Sequence, residues 1–98
     1  MKIFICSRLR GDIENNIKRA KQFSREVMLQ GHFPLTPHIY FTLFLDELKE
    51  EERNIGINAG LEWIKECDEV WVFDNELSEG MKKEIEFAKK LNKKIVMK

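Results

Sequence analysis

Three short stretches carry the residue types that could do chemistry. After an apolar run at the N-terminus comes Ser7-Arg8-Leu9-Arg10-Gly11-Asp12. It combines a hydroxyl, two guanidiniums and a glycine that permits unusual dihedrals, just ahead of a helix whose first N–H groups lack partners. That is the equipment of an anion cradle, though it is neither a Walker loop nor a dinucleotide fingerprint. An ordinary strand-to-helix turn with exposed arginines is the plainer reading. The second stretch runs from Asp74 to Gly80, with Ser78 placed to cap a helix and Glu84 six residues later. A glutamate in the second turn of a helix is usually solvated. Facing a crevice, it could instead attack a sugar anomeric carbon, because a carboxylate forms a glycosyl ester through an oxocarbenium-like transition state. The third is Pro37-His38-Ile39-Tyr40, whose His38 and Tyr40 could stack on a base or hold a phosphate; a histidine in such a loop is otherwise structural.

These stretches must be positioned by the elements between them. Lys2 to Cys6 reads as a buried strand. Asp12 is an N-cap, and Ile13, Ile17, Ala20, Phe23 and Val27 form one face of a helix ending near Gln30-Gly31, with Lys18, Arg19, Lys21 and Arg25 on the solvated side. His32 to Thr36 reads as a short strand that Pro34 makes irregular or places at a sheet edge. The segment 37–53 is long for a connection, carries a short helical turn around Leu43 to Leu48, and has the character of a lid. A helix over residues 51 to 66 buries Ile57, Leu61 and Ile64. Its Gly56 and Gly60, four apart, suggest close approach by backbone or ligand. Glu69 to Asp74 reads as a central strand. Ser78 opens a helix with Met81, Ile85, Ala88 and Leu91 inward, Asn92 ends it, and Lys94 to Met97 is the last strand.

The order β-α-β-α-β-α-β predicts a single α/β domain over residues 1–98. Its four-stranded parallel sheet has strand order 2-1-3-4, right-handed crossovers and helices on both faces. Strands 1 and 3 then lie side by side with their helices leaving to opposite faces. Their C-terminal ends form the topological switch point where open α/β sheets bind ligands. The first two chemical stretches belong to that crevice. Trp63 and Trp71 are assigned to the core by periodicity.

Composition narrows the partners. The 98 residues are 43% hydrophobic and 35% charged, with 17 Lys plus Arg against 17 Asp plus Glu. A globular chain without a basic field points away from a nucleic-acid polymer and towards a small molecule. Cys6 and Cys67 lie among apolar neighbours with no CxxC pair, so they read as reduced, buried thiols of a cytoplasmic protein, with no zinc site or other metal. No segment reaches the roughly 20 apolar residues of a membrane span. No cofactor is called for.

The segments Arg10–Ile17 (RGDIENNI), Pro37–Phe41 (PHIYF) and Ser78–Ile85 (SEGMKKEI) resemble a family of small bacterial and phage proteins related to nucleoside 2-deoxyribosyltransferases and deoxynucleoside-monophosphate N-glycosidases. The likeness covers nearly the whole chain. It implies a flavodoxin-like parallel sheet, a nucleoside or nucleotide ligand and a homodimer or higher homo-oligomer. It also implies cleavage or transfer of an N-glycosidic bond. Carried over by position, it makes Glu84 the nucleophile, Arg10 and Gly11 part of the phosphate- or sugar-side loop, and Ser78 and Gly80 the opening of the helix near a 5′-phosphate. Ser7, Arg8, His38, Tyr40 and Asp74 complete the expected binding set. Two positions depart. Phe4 stands where the glycosidases carry a tyrosine, and Gly60 where they carry an aspartate that binds sugar and handles protons, leaving Asp74 or Asp68 as the nearby acids. These departures make a non-catalytic nucleotide-binding protein the alternative reading.

Overall fold

Residues 1–98 are described by a computed structural model. Four parallel strands, β1 (Lys2–Cys6), β2 (Phe33–Leu35), β3 (Glu69–Val72) and β4 (Lys94–Met97), form one sheet in the order β2-β1-β3-β4. The register sets Ile3 beside Glu69 and Cys6 beside Val72, so β1 and β3 end level with each other. β2 is an edge strand, and Pro34 sits in it opposite Ile3. That edge position tolerates the missing N–H of proline.

Alternation along β1 divides the core in two. Ile3 and Ile5 pack with Trp71 and Val27, with Phe23 and Phe73 beside them, under α1 (Ile13–Leu29). Phe4 and Cys6 point the other way, towards Ile64 of α3 (Glu50–Glu66) and Met81 and Ala88 of α4 (Glu79–Lys90). One helix therefore covers one face and two cover the other. Asp12 caps α1 by accepting from the N–H of Asn15 at 3.2 Å, and Ser78 caps α4 by accepting from the N–H of Met81 at 3.3 Å. Asn92 closes α4 in the left-handed region at φ 57°, where asparagine is tolerated.

The boundaries differ from the sequence reading at three points. β3 ends at Val72, although the Phe73 N–H still donates to the Cys6 carbonyl at 3.0 Å. The stretch after β2 is helical from its start: Pro37 takes the first position of the short helix α2 (Pro37–Tyr40), where a missing N–H costs nothing, and a 3-10 turn follows over Phe41–Leu43. On α1, Asn16 is buried and Arg19 turns back over the sheet, so the polar side of that helix is not all solvated.

Candidate functional site

A cavity of about 290 Å³ opens beyond the C-terminal ends of β1 and β3. This is the low end of small-molecule sites and suits one modest ligand. Three walls make it. The loop after β1 supplies Ser7, Leu9 and Arg10, and the start of α4 supplies Ser78, Gly80 and Glu84. The segment after β2, folded back against α3, supplies His38, Phe41, Glu47 and Arg53.

Glu84 reaches this cavity from α4. It lies three residues after Met81 and four before Ala88, both buried, so helical spacing turns its carboxyl inward. It is only 7% exposed. Its Oε1 accepts from the thiol of Cys6 at 3.4 Å. A single weak donor does not replace the water that burial removes. Desolvation therefore raises the Glu84 pKa to about 8, against the lowering effect of the Cys6 hydrogen bond. Cys6 in turn has its thiol pushed far up by burial and by the neighbouring Glu84 charge, so it stays protonated and acts as the donor.

Ser7 is buried among the residues that line the cavity, and its Oγ has no hydrogen-bond partner. A buried orphan hydroxyl is uncommon and marks a place where a ligand polar atom fits. His38 sits above it, its Nε2–H donating to the Ser7 carbonyl at 2.7 Å. Because a carbonyl can only accept, that nitrogen carries the proton. Burial lowers the His38 pKa, so the ring is neutral at pH 7 with Nδ1 as an acceptor.

Of the expected binding residues, Ser7, Arg10, His38, Ser78 and Gly80 meet Glu84 around this cavity. Four others lie off its walls. Asp74 accepts from the Arg8 N–H at 2.8 Å and pairs with the Arg19 guanidinium, which ties the two switch-point loops together. The Arg8 side chain reaches Glu76 at 3.4 Å on the surface. Gly11 serves the turn with φ +100°. Tyr40 stacks on Trp63 at 5.7 Å, over a shallow groove lined by Ser24 and Pro34, because α2 turns its ring outward. Phe4 is wholly buried in the core; the β1 residue that reaches Glu84 is Cys6, two positions along the same face. Asp68 accepts from the Lys2 N–H at 2.7 Å, at the N-terminal end of the sheet and away from the cavity.

Gly56 and Gly60 do mark a close approach. A Cβ at Gly56 would lie 3.5 Å from Leu45, and one at Gly60 would lie 3.6 Å from Pro37 and 3.9 Å from Glu84 Oε2. The partner is the chain's own 37–45 segment. Sequence reasoning missed Glu47 and Arg53: Glu47 falls in the helical turn read around Leu43 to Leu48, and Arg53 in the charged run Lys49 to Arg53 that follows it and reads as surface. Glu47 Oε1 is 3.3 Å from Arg53 Nε and 3.9 Å from Arg10 Nε, inside the cavity wall. Glu47 has its pKa raised because burial outweighs both guanidiniums. No group of three His, Cys, Asp or Glu side chains is arranged to hold a metal ion, and no helix is long and apolar enough to cross a membrane.

The fold has a clear counterpart among solved structures. A 2-deoxyribosyltransferase from the psychrotolerant bacterium Bacillus psychrosaccharolyticus superposes with a TM-score of 0.78, over 99% of this chain and 71% of that one. Identity between the two is 21%, so the likeness is one of fold: a compact 2-deoxyribosyltransferase-like α/β architecture. That enzyme is described as a biocatalyst for nucleoside synthesis. No curated protein matches the sequence. The match that spans the whole chain, residues 1–98, is to DUF7768, a domain of unknown function, and the chain belongs to that family.

Proposed function

We propose that this chain cleaves or transfers the N-glycosidic bond of a nucleoside or nucleotide, with Glu84 as the nucleophile. The observation that carries this reading is the placement of Glu84: a carboxyl buried on the core face of α4, yet open to a cavity at the switch point. Keeping it there costs stability, which a purely structural position would not retain without a paired charge. The fold of a nucleoside-processing enzyme adds weight.

In the proposed step a Glu84 oxygen forms a bond to C1′ as the C1′–N bond breaks, and the electron pair leaves with the base. Glu84 starts protonated at neutral pH, so the proton it gives up to solvent balances the one the departing base takes up. Water or a second base then displaces the glycosyl ester and regenerates the carboxyl. Ser7 Oγ holds a sugar hydroxyl, His38 Nδ1 accepts from the ligand, and Ser78 and Gly80 flank the sugar at the start of α4. Exposed Leu43, Phe44 and Leu48 support a self-associated state, which gel filtration with light scattering reads directly.

The test is incubation with 2′-deoxynucleosides and their 5′-monophosphates, with free base measured by chromatography. The reading expects release by the native chain and none by Glu84→Gln. Equal release by that variant overturns it. One observation favours a non-catalytic binding protein instead: Gly60, whose Cβ would lie 3.9 Å from Glu84 Oε2, supplies no acid at that position to protonate a leaving base. Tight calorimetric binding with the ligand recovered intact would select that reading.

A further inference from the structure

We infer that His38 is the proton carrier of this site: its Nδ1 takes the proton that Glu84 gives up and hands it to the departing base. The inference rests on the N-glycosidic reading above and adds a catalytic residue to it.

An ionised base is a poor leaving group, so the nitrogen that leaves C1′ needs a proton as the bond breaks. Glu84 holds a proton at neutral pH and must lose it before it attacks. A carrier inside the cavity, in place of solvent, serves both needs. The cavity wall offers one side chain suited to the task. Arg10 and Arg53 do not release their protons. Glu47 faces Arg53 at 3.3 Å, Glu52 pairs with Lys49 at 3.9 Å and Glu79 with Lys82 at 3.5 Å, so each of these carboxylates already has a cation beside it. His38 differs. Its Nε2–H is committed to the Ser7 carbonyl, while Nδ1 makes no hydrogen bond and is not sealed in by packing. A neutral imidazole with one free lone pair can accept a proton and return it. Burial lowers the His38 pKa, so a proton once accepted is readily passed on.

The backbone brings the two groups together. Cys6 and Ser7 are consecutive at the end of β1; the Cys6 thiol meets Glu84 at 3.4 Å, and the Ser7 carbonyl meets His38 at 2.7 Å. From the other side, Pro37 packs where Gly60 has no side chain. A Cβ there would lie 3.6 Å from Pro37 and 3.9 Å from Glu84 Oε2. Glycine at position 60 thus lets α2 settle beside Glu84, and His38 is the next residue of α2 after Pro37. Proton transfer between them runs directly or through one cavity water.

In the first step the Glu84 proton moves to Nδ1 and a Glu84 oxygen bonds to C1′. The C1′–N bond breaks with its electron pair on the base, and Nδ1 gives the base its proton. In the second step water or an incoming base bonds to C1′ and gives a proton to Nδ1. The electron pair of the ester C1′–O bond returns to Glu84, and the proton follows it. His38 ends each step neutral.

The test compares the intact native chain, His38→Gln and Glu84→Gln on a 2′-deoxynucleoside and on a nitrophenyl 2-deoxyriboside, whose leaving group departs as a stable anion. Glutamine can keep a donor for the Ser7 carbonyl while removing the basic nitrogen, and circular dichroism checks each fold. His38→Gln should lose about 10²-fold or more in kcat on the nucleoside and far less on the nitrophenyl substrate. A merely structural role would lower both alike. An equal loss on the two substrates, or no loss, overturns the inference, while base release that depends on Glu84 leaves the glycosidic reading standing. If the native chain releases neither base nor nitrophenolate, or Glu84→Gln releases both equally well, the glycosidic reading fails and the carrier role falls with it. Nitrogen NMR of His38 in the native chain needs no variant: at pH 7 Nε2 should carry the proton and Nδ1 none, and a proton on Nδ1 overturns the inference.

Discussion

The thiol of Cys6 and the carboxyl of Glu84 meet at 3.4 Å inside the protein, with the thiol as donor. One residue ends the first strand and the other opens the second turn of the last helix, so the contact joins sheet and helix at the cavity floor. It is the one side-chain hydrogen bond that Glu84 makes. The carboxyl is therefore far more comfortable neutral than charged.

That imbalance has a consequence for stability. The folded-state pKa of Glu84, about 8, stands above that of an exposed glutamate. A raised value means the group's contribution is fully present below the ordinary carboxylate pKa and is lost as pH rises through about 8. Replacing it with glutamine removes the loss. Urea midpoints of the native chain and Glu84→Gln should diverge between pH 5 and pH 9, with the variant gaining on the order of a few kcal/mol relative to the native chain. A difference that stays constant across that range would show that Glu84 titrates as an exposed carboxyl.

The Cys6 donor is testable on its own. Donation favours the ionised carboxylate, so Cys6→Ala should raise the Glu84 pKa further, by about one pH unit. Cys6→Ser, with a stronger donor in the same place, should bring it down. The carboxyl carbon chemical shift of Glu84, followed by NMR through a pH titration, gives the value in each variant. Identical titrations in all three proteins would mean the thiol does not donate.

Asp74 looked like a ligand-binding acid and is instead a tie between loops. Its carboxylate is largely buried and holds the Arg8 N–H and the Arg19 guanidinium. Asp74→Ala leaves both without their partner, at a cost of about 2–4 kcal/mol. Thermal or urea unfolding should show that loss, and titrations made well below the transition should still find a ligand site. A variant of native stability would contradict the structural role.

The sheet was legible in the sequence because each strand is a short apolar run closed by a clear turn or cap. Pro34 marked an irregular or edge strand, which is the edge strand β2, and the continuous apolar run Val70 to Phe73 marked a central strand covered on both faces. Strand order followed from parallel crossovers. Glu84 stood out only as a candidate, six residues after Ser78, and its burial could have been read from its register between Met81 and Ala88. The third wall was not legible. Tyr40 reads as a wall of the pocket and Leu43 as part of a helical turn, yet Tyr40, Leu43 and Phe44 all lie half-exposed or more. The Arg10–Glu47–Arg53 cluster joins residues far apart in sequence, and no local pattern ties the first arginine to the other two. Tyr40 was misplaced for the same reason: one turn of α2 decides which of His38 and Tyr40 looks inward, and a four-residue helix leaves too little periodicity to say.

The most direct measurement is the mass of the protein after reaction. The native chain, quenched in acid during turnover of a 2′-deoxynucleoside, should carry one added deoxyribosyl group, mapped by peptide fragmentation to Glu84 and missing from Glu84→Gln. Release of free base with no adduct on Glu84, undiminished in the glutamine variant, would contradict the account.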